Sequence, residues 1–255
     1  MMYFKSRYKK IFYLVYDFGL IPNYFIPKSM QKKLTARSIF SNKVIKSDER
    51  GFYYVYPMPT LDDLNIYYTN TYWQSRGKDE GVGRRDLDHY MLIKKFFSKK
   101  KITFLNFGAG HGGISHLVYH AGHSVINIEP SGLKIDYKND NWKTYSDIGE
   151  VSEKVDFIYG SHSLEHVQDI DEFNNLYMKI LNPKGKVFWE VPNGDLESNG
   201  GCNGLLHRPH TYYFTTKFFE TLHLNTIINQ SYSENYFPNI SSENGEVIRY
   251  LGEKK

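Results

Sequence analysis

The stretch Phe104-Leu-Asn-Phe-Gly108-Ala-Gly110-His-Gly112-Gly113 decides the fold. A short apolar run ends on closely spaced glycines, and the apolar positions that follow through 114–120 have helical spacing. Glycines are needed where a strand turns sharply into a helix and where backbone must approach a ligand closely, with the first helical amides facing that ligand. Glu129 stands 21 residues after Gly108, at the end of the next apolar run, where a carboxylate can accept both hydroxyl hydrogens of a ribose. Strand, glycine loop, helix and acid agree in position, and together they point to an adenosine-type ligand.

Spacing alone leaves two patterns open. Gly108, Gly110 and Gly113 satisfy G-x-G-x-x-G, the nicotinamide-dinucleotide pattern, while Gly108, Gly110 and Gly112 satisfy G-x-G-x-G, the S-adenosylmethionine pattern. Outward from the loop, short apolar runs alternate with amphipathic stretches. They predict strands at 102–107, 124–128, 142–145, 157–160 and 186–191, with two more at 226–232 and 246–251. This rhythm implies an α/β fold: a Rossmann-like, seven-stranded, mostly parallel sheet sandwiched by helices, with an N-terminal extension. The expected organisation is a basic extension over 1–50, a helical lead-in over 51–100, and a main domain over 101–255 with a lid-like insertion at about 194–214. In the lead-in, Thr60 precedes an acidic turn as an N-cap would. A helix over 86–98 is predicted from Leu87, Tyr90, Met91, Lys94 and Phe97.

Composition narrows the class of function. A chain of 255 residues can bury a full core, and 32 Lys and Arg against 28 Asp and Glu give a net +4 spread along the sequence, too weak for a nucleic-acid binder. Phosphate-bearing small substrates remain open. The single cysteine, Cys202, excludes an intramolecular disulfide and a cysteine-only zinc site, and it agrees with a reducing, cytoplasmic location. The 22 Tyr, 17 Phe and 3 Trp, beside only Ala36, Ala109 and Ala121, read as AT-rich codon bias more than as an aromatic ligand site. Near the start, Lys5, Arg7, Lys9 and Lys10 precede an apolar stretch over 11–21 that Asp17 interrupts, with no small-x-small cleavage site after it. Such a segment is too short to span a bilayer; peripheral membrane contact and packing on the main domain are both open to it.

Four segments in order resemble the class I S-adenosylmethionine-dependent methyltransferases, in their small-molecule branch with a Leu-Glu-His motif. They are Leu105-Asn-Phe-Gly-Ala-Gly-His-Gly, Ile128-Glu-Pro-Ser, Val155-Asp-Phe-Ile-Tyr-Gly-Ser-His-Ser-Leu-Glu-His-Val and Leu181-Asn-Pro-Lys-Gly-Lys-Val-Phe-Trp-Glu-Val-Pro-Asn. The resemblance covers about 101–193. It implies S-adenosylmethionine as cofactor, with Gly108, Ala109 and Gly110 under the methionine portion and Glu129, followed by Pro130, at the ribose. Asp147 and Ile148 would border the adenine, although Asp147 could equally cap a helix. Ser161 and His162 would lie beside the sulfonium. Arg84, with Arg85 next to it, falls where relatives bind the cofactor carboxylate, and a solvated surface pair is as good a description. Asn106 stands where the family usually has an acid, and relatives often carry a cysteine-rich zinc module upstream of a segment like 57–72, which is absent here.

By resemblance, the reaction is transfer of a methyl group to a small molecule: O-methylation of a sugar, nucleotide-linked sugar or phosphorylated precursor of a bacterial surface polysaccharide. A neutral hydroxyl needs a base. His207 and His210 are the candidates, with Arg208 for a phosphate and Tyr212 and Tyr213, with Tyr68 and Tyr72, as aromatic walls. Cys202 with His207 and His210 offers too few fixed ligands for zinc, so no metal is expected. Glu165 reads as a buttress more than as a catalytic acid, and His116 and His120 as a solvated face. Two other readings stay open here: an NAD(P)-dependent oxidoreductase on the same loop, and a non-catalytic partner subunit that keeps the fold, which Asn106 brings in.

Overall fold

The computed structural model describes residues 43–67, 81–98, 100–131, 139–195, 210–232 and 245–255. The basic segment before them, Tyr68, Tyr72, Cys202, His207 and Arg208 lie outside the described residues. The described chain begins with an antiparallel hairpin, β1 (Val44–Asp48) and β2 (Phe52–Tyr56), joined through Gly51. Helix α1 (Leu61–Tyr67) follows, and the Thr60 hydroxyl accepts from the Asp63 amide at 3.1 Å, the N-cap its sequence predicts. Next comes α2 (Arg84–Ile93), which runs into a single 3-10 turn.

The main domain then alternates β3 (Thr103–Phe107), α3 (Gly113–His120), β4 (Ser124–Ile128), β5 (Trp142–Tyr145), β6 (Val155–Ser161), α4 (Ile170–Ile180) and β7 (Leu181–Pro192). It continues with β8 (Tyr212–Phe214), α5 (Thr216–Glu220), β9 (Leu224–Tyr232) and β10 (Val247–Lys254). Seven strands form one sheet in the order β5-β4-β3-β6-β7-β10-β9. Strands β3 to β7 pair in parallel, and β10 runs antiparallel to both β7 and β9. This is the mostly parallel, seven-stranded α/β sheet expected. Inserting the last strand antiparallel between its predecessors departs from the six-strand dinucleotide order.

Both faces of the central strands are apolar, because each is covered by helices. On β7, Val187, Trp189 and Val191 join one core cluster and Phe188 the other; on β3, Leu105 and Phe104 divide the same way. Helix α4 covers the first face with Ile170, Phe173, Tyr177 and Ile180, and α3 covers the second with Ile114 and Val118. Much of the aromatic excess is here. Phe104 stacks on Phe157 with centroids 5.7 Å apart, and Tyr159 on Phe188 at 5.6 Å, so rings run in a row across β3, β6 and β7.

Three local expectations need correction. The segment expected to be a helical lead-in opens on a strand, and β8 returns to pair with it, giving a second sheet in the order β1-β2-β8. Tyr212 and Tyr213, expected to wall a pocket, are buried in that pairing: the Tyr212 hydroxyl accepts from the Ile170 amide at 3.3 Å and donates to the Gln168 carbonyl at 3.2 Å. On α2, Leu87 and Met91 are exposed, whereas Asp88, His89 and Ile93 are buried. The expected helix is present, with Tyr90 and Phe97 packed against the core, but Leu87 and Met91 face outward because Asp88 and His89 share the inward side with Ile93.

Candidate active site

The chain leaves β3 outward to β4 and β5, then returns to β6 on the other side of β3, so the carboxyl ends of β3 and β6 flank the switch point where open α/β sheets bind ligands. The glycine loop follows β3. Gly108, Gly110 and Gly112 have φ of +70°, +56° and +73°, a region that costs other L-residues about 1–2 kcal/mol. A Cβ on Gly108 would lie 2.5 Å from Ser163 Cβ, so the loop packs directly on the turn that follows β6. A Cβ on Gly113 would run into the Asp86 carboxylate, which also accepts from the Gly83 amide at 2.8 Å. Asp86 thus caps α2 and seats it against the start of α3.

Glu129 is fixed by the loop it was expected to serve. Its Oε2 accepts from the Gly110 amide at 2.7 Å and its Oε1 from the Ser131 amide at 3.0 Å, in a nearly buried position. Each carboxylate oxygen keeps a further lone pair, so the group can accept two more hydrogens without moving. Ala109 is nearly buried, its amide and that of Gly108 both donating to the Ile128 carbonyl at 3.0 Å, and Pro130 is exposed. Asp147 caps the turn Ile148–Glu150 through the Gly149 amide at 2.7 Å, while Ile148 is buried in the main core. Asn106 is buried beneath α3: its amide donates to Ser115 Oγ at 2.9 Å, and Ser115 donates to Asn127 at 2.6 Å.

The second half of the site follows β6. Ser161 Oγ donates to Glu190 Oε1 at 3.1 Å. His162, at φ +51°, has its Nε2 3.6 Å from the same oxygen and its Nδ1 3.6 Å from Glu165 Oε1. His166 Nε2 is 3.8 Å from that Glu165 oxygen, and the His210 ring lies 5.0 Å from the His166 ring. Thr211 brings His210 there: its amide donates to the Glu165 carbonyl at 2.9 Å, and its hydroxyl lies 2.8 and 2.6 Å from the carbonyls of Glu165 and Val167. Arg84 is exposed, whereas Arg85 turns inward with Nε 3.9 Å from Glu190 Oε1.

Glu190 is the centre of a buried charged network that pattern reading missed. Its Oε2 accepts from His89 Nε2 and from Arg249 Nε, both at 2.8 Å; Arg249 Nη2 reaches Asp88 at 3.2 Å, and His89 Nδ1 lies 2.7 Å from the Tyr159 hydroxyl. Burial would raise the Glu190 carboxyl, but His89, Arg249 and His162 outweigh it and hold it well below the ordinary carboxylate range. Burial likewise pushes on Glu165, yet the approach of His162 and the charges of His166 and His210 hold it at about 2. Desolvation, with Glu190 nearby, pushes the Tyr159 hydroxyl far upward, so it stays a neutral donor. One signal was available: Glu190 and Arg249 are lone charges inside the apolar runs Val187-Phe-Trp-Glu-Val and Val247-Ile-Arg-Tyr-Leu, where only a buried partner makes a charge tolerable.

Comparison with known proteins gives the family. Residues 84–237 match the model of a methyltransferase domain family. Over 113 residues the chain is 31% identical to a ubiquinone biosynthesis O-methyltransferase of Chelativorans sp. (strain BNC1), covering 39% of this chain and 44% of that protein. It is 32% identical to the protein of the same name from Pelagibacter ubique (strain HTCC1062), covering 39% and 45%. The chain therefore spans less than half the length of these curated relatives. Among solved structures, magnesium protoporphyrin IX methyltransferase from Synechocystis PCC 6803, solved with bound SAH, aligns with a TM-score of 0.52 at 12% identity over 77% of this chain and all of that one. An S-adenosylmethionine dependent methyltransferase from Mesorhizobium loti aligns at 0.51, with 9% identity over 66% and 98%. At such identities these two structures speak to the fold.

Proposed function

We propose, from the premise that this chain belongs to the methyltransferase domain family matched by residues 84–237, that it transfers a methyl group from S-adenosylmethionine to an oxygen of a small molecule. The observation that carries this is the Glu129 carboxylate, locked by the Gly110 and Ser131 amides at the switch point with lone pairs left for two ribose hydroxyls. Those residues fit the cofactor, and its chemistry when bound is an electrophilic methyl group on a sulfonium. Gly108, Ala109 and Gly110 line the methionine portion, Asp147 and Ile148 the adenine edge, and Ser161 and His162 the sulfonium side. Arg84 and Arg85 are the cations for the carboxylate, Arg85 being the one turned inward.

Transfer is an in-line displacement, so the protein's main contribution is alignment, which can supply about 7–11 kcal/mol. The acceptor hydroxyl must also lose its proton, and His210, held beside Glu165 and His166, with His207 outside the described residues, supplies the candidate base. For the acceptor, the sequence resemblance favours a sugar, nucleotide-linked sugar or phosphorylated polysaccharide precursor. The name of the two curated relatives adds a ubiquinone-biosynthetic intermediate as the second class. No helix among the described residues is long and apolar enough to cross a membrane.

Parallel calorimetric titrations with S-adenosylhomocysteine and NAD test the cofactor, and labelled methyl transfer onto nucleotide-activated sugars, envelope precursors and quinone precursors tests the acceptor. The expected result is binding of S-adenosylhomocysteine and labelling of one of these classes; binding of NAD alone would overturn the proposal.

A further inference from the structure

The turn after β6 contains a buried charge whose surroundings the transfer chemistry does not account for. Glu165 is 1% exposed, yet neither carboxylate oxygen has a hydrogen-bond partner among the described residues. Its Oε1 is flanked by His162 Nδ1 at 3.6 Å and His166 Nε2 at 3.8 Å, both too long for an N–H···O bond. A carboxylate buried in this way is costly unless something charged satisfies it. The donor atoms of Glu165, His166 and His210 all lie within 4.8 Å of one another. Their backbone is also held in place, because Thr211, the residue after His210, donates to the carbonyls of Glu165 and Val167.

We propose that Glu165, His166 and His210 form a binding site for a divalent first-row transition-metal ion beside the glycine loop. Ligand atoms about 2.0–2.2 Å from one ion can stand at most about 4.4 Å apart, against donor separations here of up to 4.8 Å, so side-chain rotation alone can close the site. Two imidazole nitrogens and one carboxylate oxygen suit the series from manganese to zinc, whereas magnesium and calcium take oxygen ligands. Three protein ligands leave coordination positions open. The Gly108–Ser163 packing puts this turn against the loop, and in this proposal an open position takes the acceptor oxygen. This role rests on the methyltransferase proposal above. An ion there lowers the pKa of the acceptor hydroxyl, whose proton passes to water. The oxygen then forms the new C–O bond as the C–S bond breaks toward sulfur; with an ion bound His210 is a ligand, and the base role given to it above passes to water. The sequence pattern hid the set because it joins two adjacent residues of one turn to a third 44 positions on.

The test is a titration of the chelator-stripped full chain with Co2+, followed by visible absorption, with elemental analysis of metal bound per chain. Saturable binding of one Co2+ is expected, displaced by Zn2+. His166→Gln and His210→Gln, at less buried positions than Glu165, should weaken it by more than the roughly 10–100-fold that loss of an outer-shell partner causes. Glu165→Gln, checked for folding by circular dichroism, should do the same. Absence of saturable absorption, or affinity unchanged in both histidine variants, would overturn the site. Calorimetry with S-adenosylhomocysteine on the same stripped sample separates the two ideas. Cofactor binding without cobalt binding rejects the metal site and leaves the methyltransferase reading standing; cobalt binding without cofactor binding does the reverse.

Discussion

Replacing Glu129 by Ala should weaken S-adenosylhomocysteine binding about 100-fold. The carboxylate already accepts from Gly110 and Ser131, and its two further lone pairs are the ones assigned above to the ribose hydroxyls. Hydrogen bonds to a charged group contribute about 1.5–3 kcal/mol each, and water entering the vacated space returns part of that, so the lower end applies: roughly 3 kcal/mol for two bonds. At 1.4 kcal/mol per decade this is about two decades in Kd. Glu129→Gln keeps the volume but turns one acceptor into an NH2 that faces a backbone amide, so an intermediate loss of about tenfold is expected. Calorimetry gives Kd directly, and a thermal melt of each variant without ligand separates ribose binding from bracing of the loop. A Kd within about threefold of wild type for Glu129→Ala would refute the ribose assignment. If the melt fell while Kd held, Glu129 would be a structural clamp on the glycine loop.

Gly108→Ala should lower Tm by roughly 4 °C or more, since left-handed backbone alone costs about 1–2 kcal/mol and the new Cβ meets Ser163 at 2.5 Å. Adding Ser163→Gly should recover only the steric share, and full recovery would show the backbone to be unstrained. Glu190→Gln should cost about 3 kcal/mol in urea denaturation, because it removes the negative charge between Arg249 and His89 and puts an NH2 where one carboxylate oxygen accepted; a loss under about 1 kcal/mol would mean that the network is not coupled. In the chelator-stripped chain, despite burial, His162, His166 and His210 hold the Glu165 carboxyl at about 2, below its ordinary value of 4.5, so its contribution is present above pH 4.5 and is lost as pH falls toward 2. The shift corresponds to about 3 kcal/mol, and melts taken from pH 6 to pH 3 should fall less steeply in Glu165→Gln than in wild type. Parallel slopes would contradict the assignment.

The sheet was legible because its central strands bury both faces, so that short apolar runs such as Phe104-Leu105, Val125-Ile126, Phe157-Ile158-Tyr159 and Val187-Phe188-Trp189 stand out between turn residues. The glycine loop was legible for a different reason: three left-handed positions leave glycine as the residue without a backbone cost. The accessory sheet was not legible. Its third strand, β8, stands far along the chain from the β1–β2 hairpin and is only Tyr212–Phe214, too short for alternation to register. Helix α2 was legible as a helix, but Leu87 and Met91 were misplaced because periodicity assumes that the inward face is apolar, and here Asp88 and His89 turn inward to meet Arg249, Glu190 and Tyr159. The pairing of His210 with Glu165 and His166 depends on the Thr211 hydrogen bonds, which no spacing rule encodes.

The charged network has a consequence for the site above it. Replacing a buried Asp88–Arg249–Glu190 chain of charges with apolar side chains of similar volume would often cost nothing and could add stability, so stability is weak grounds for its presence. What it does locally is specific. Glu190 Oε2 is committed to His89 and Arg249, which leaves Oε1 facing Ser161, His162 and Arg85 at the end of β6. The orientation of these three side chains is therefore set by a carboxylate that cannot rotate without breaking two short charged contacts in a water-poor interior, where such contacts are strong. The same low dielectric keeps the Tyr159 hydroxyl protonated against His89, closing the network at its far end. A cationic sulfonium placed beside Ser161 and His162 would thus meet a fixed negative charge one side chain away, and the rigid sheet that buries Glu190 is also what aims it.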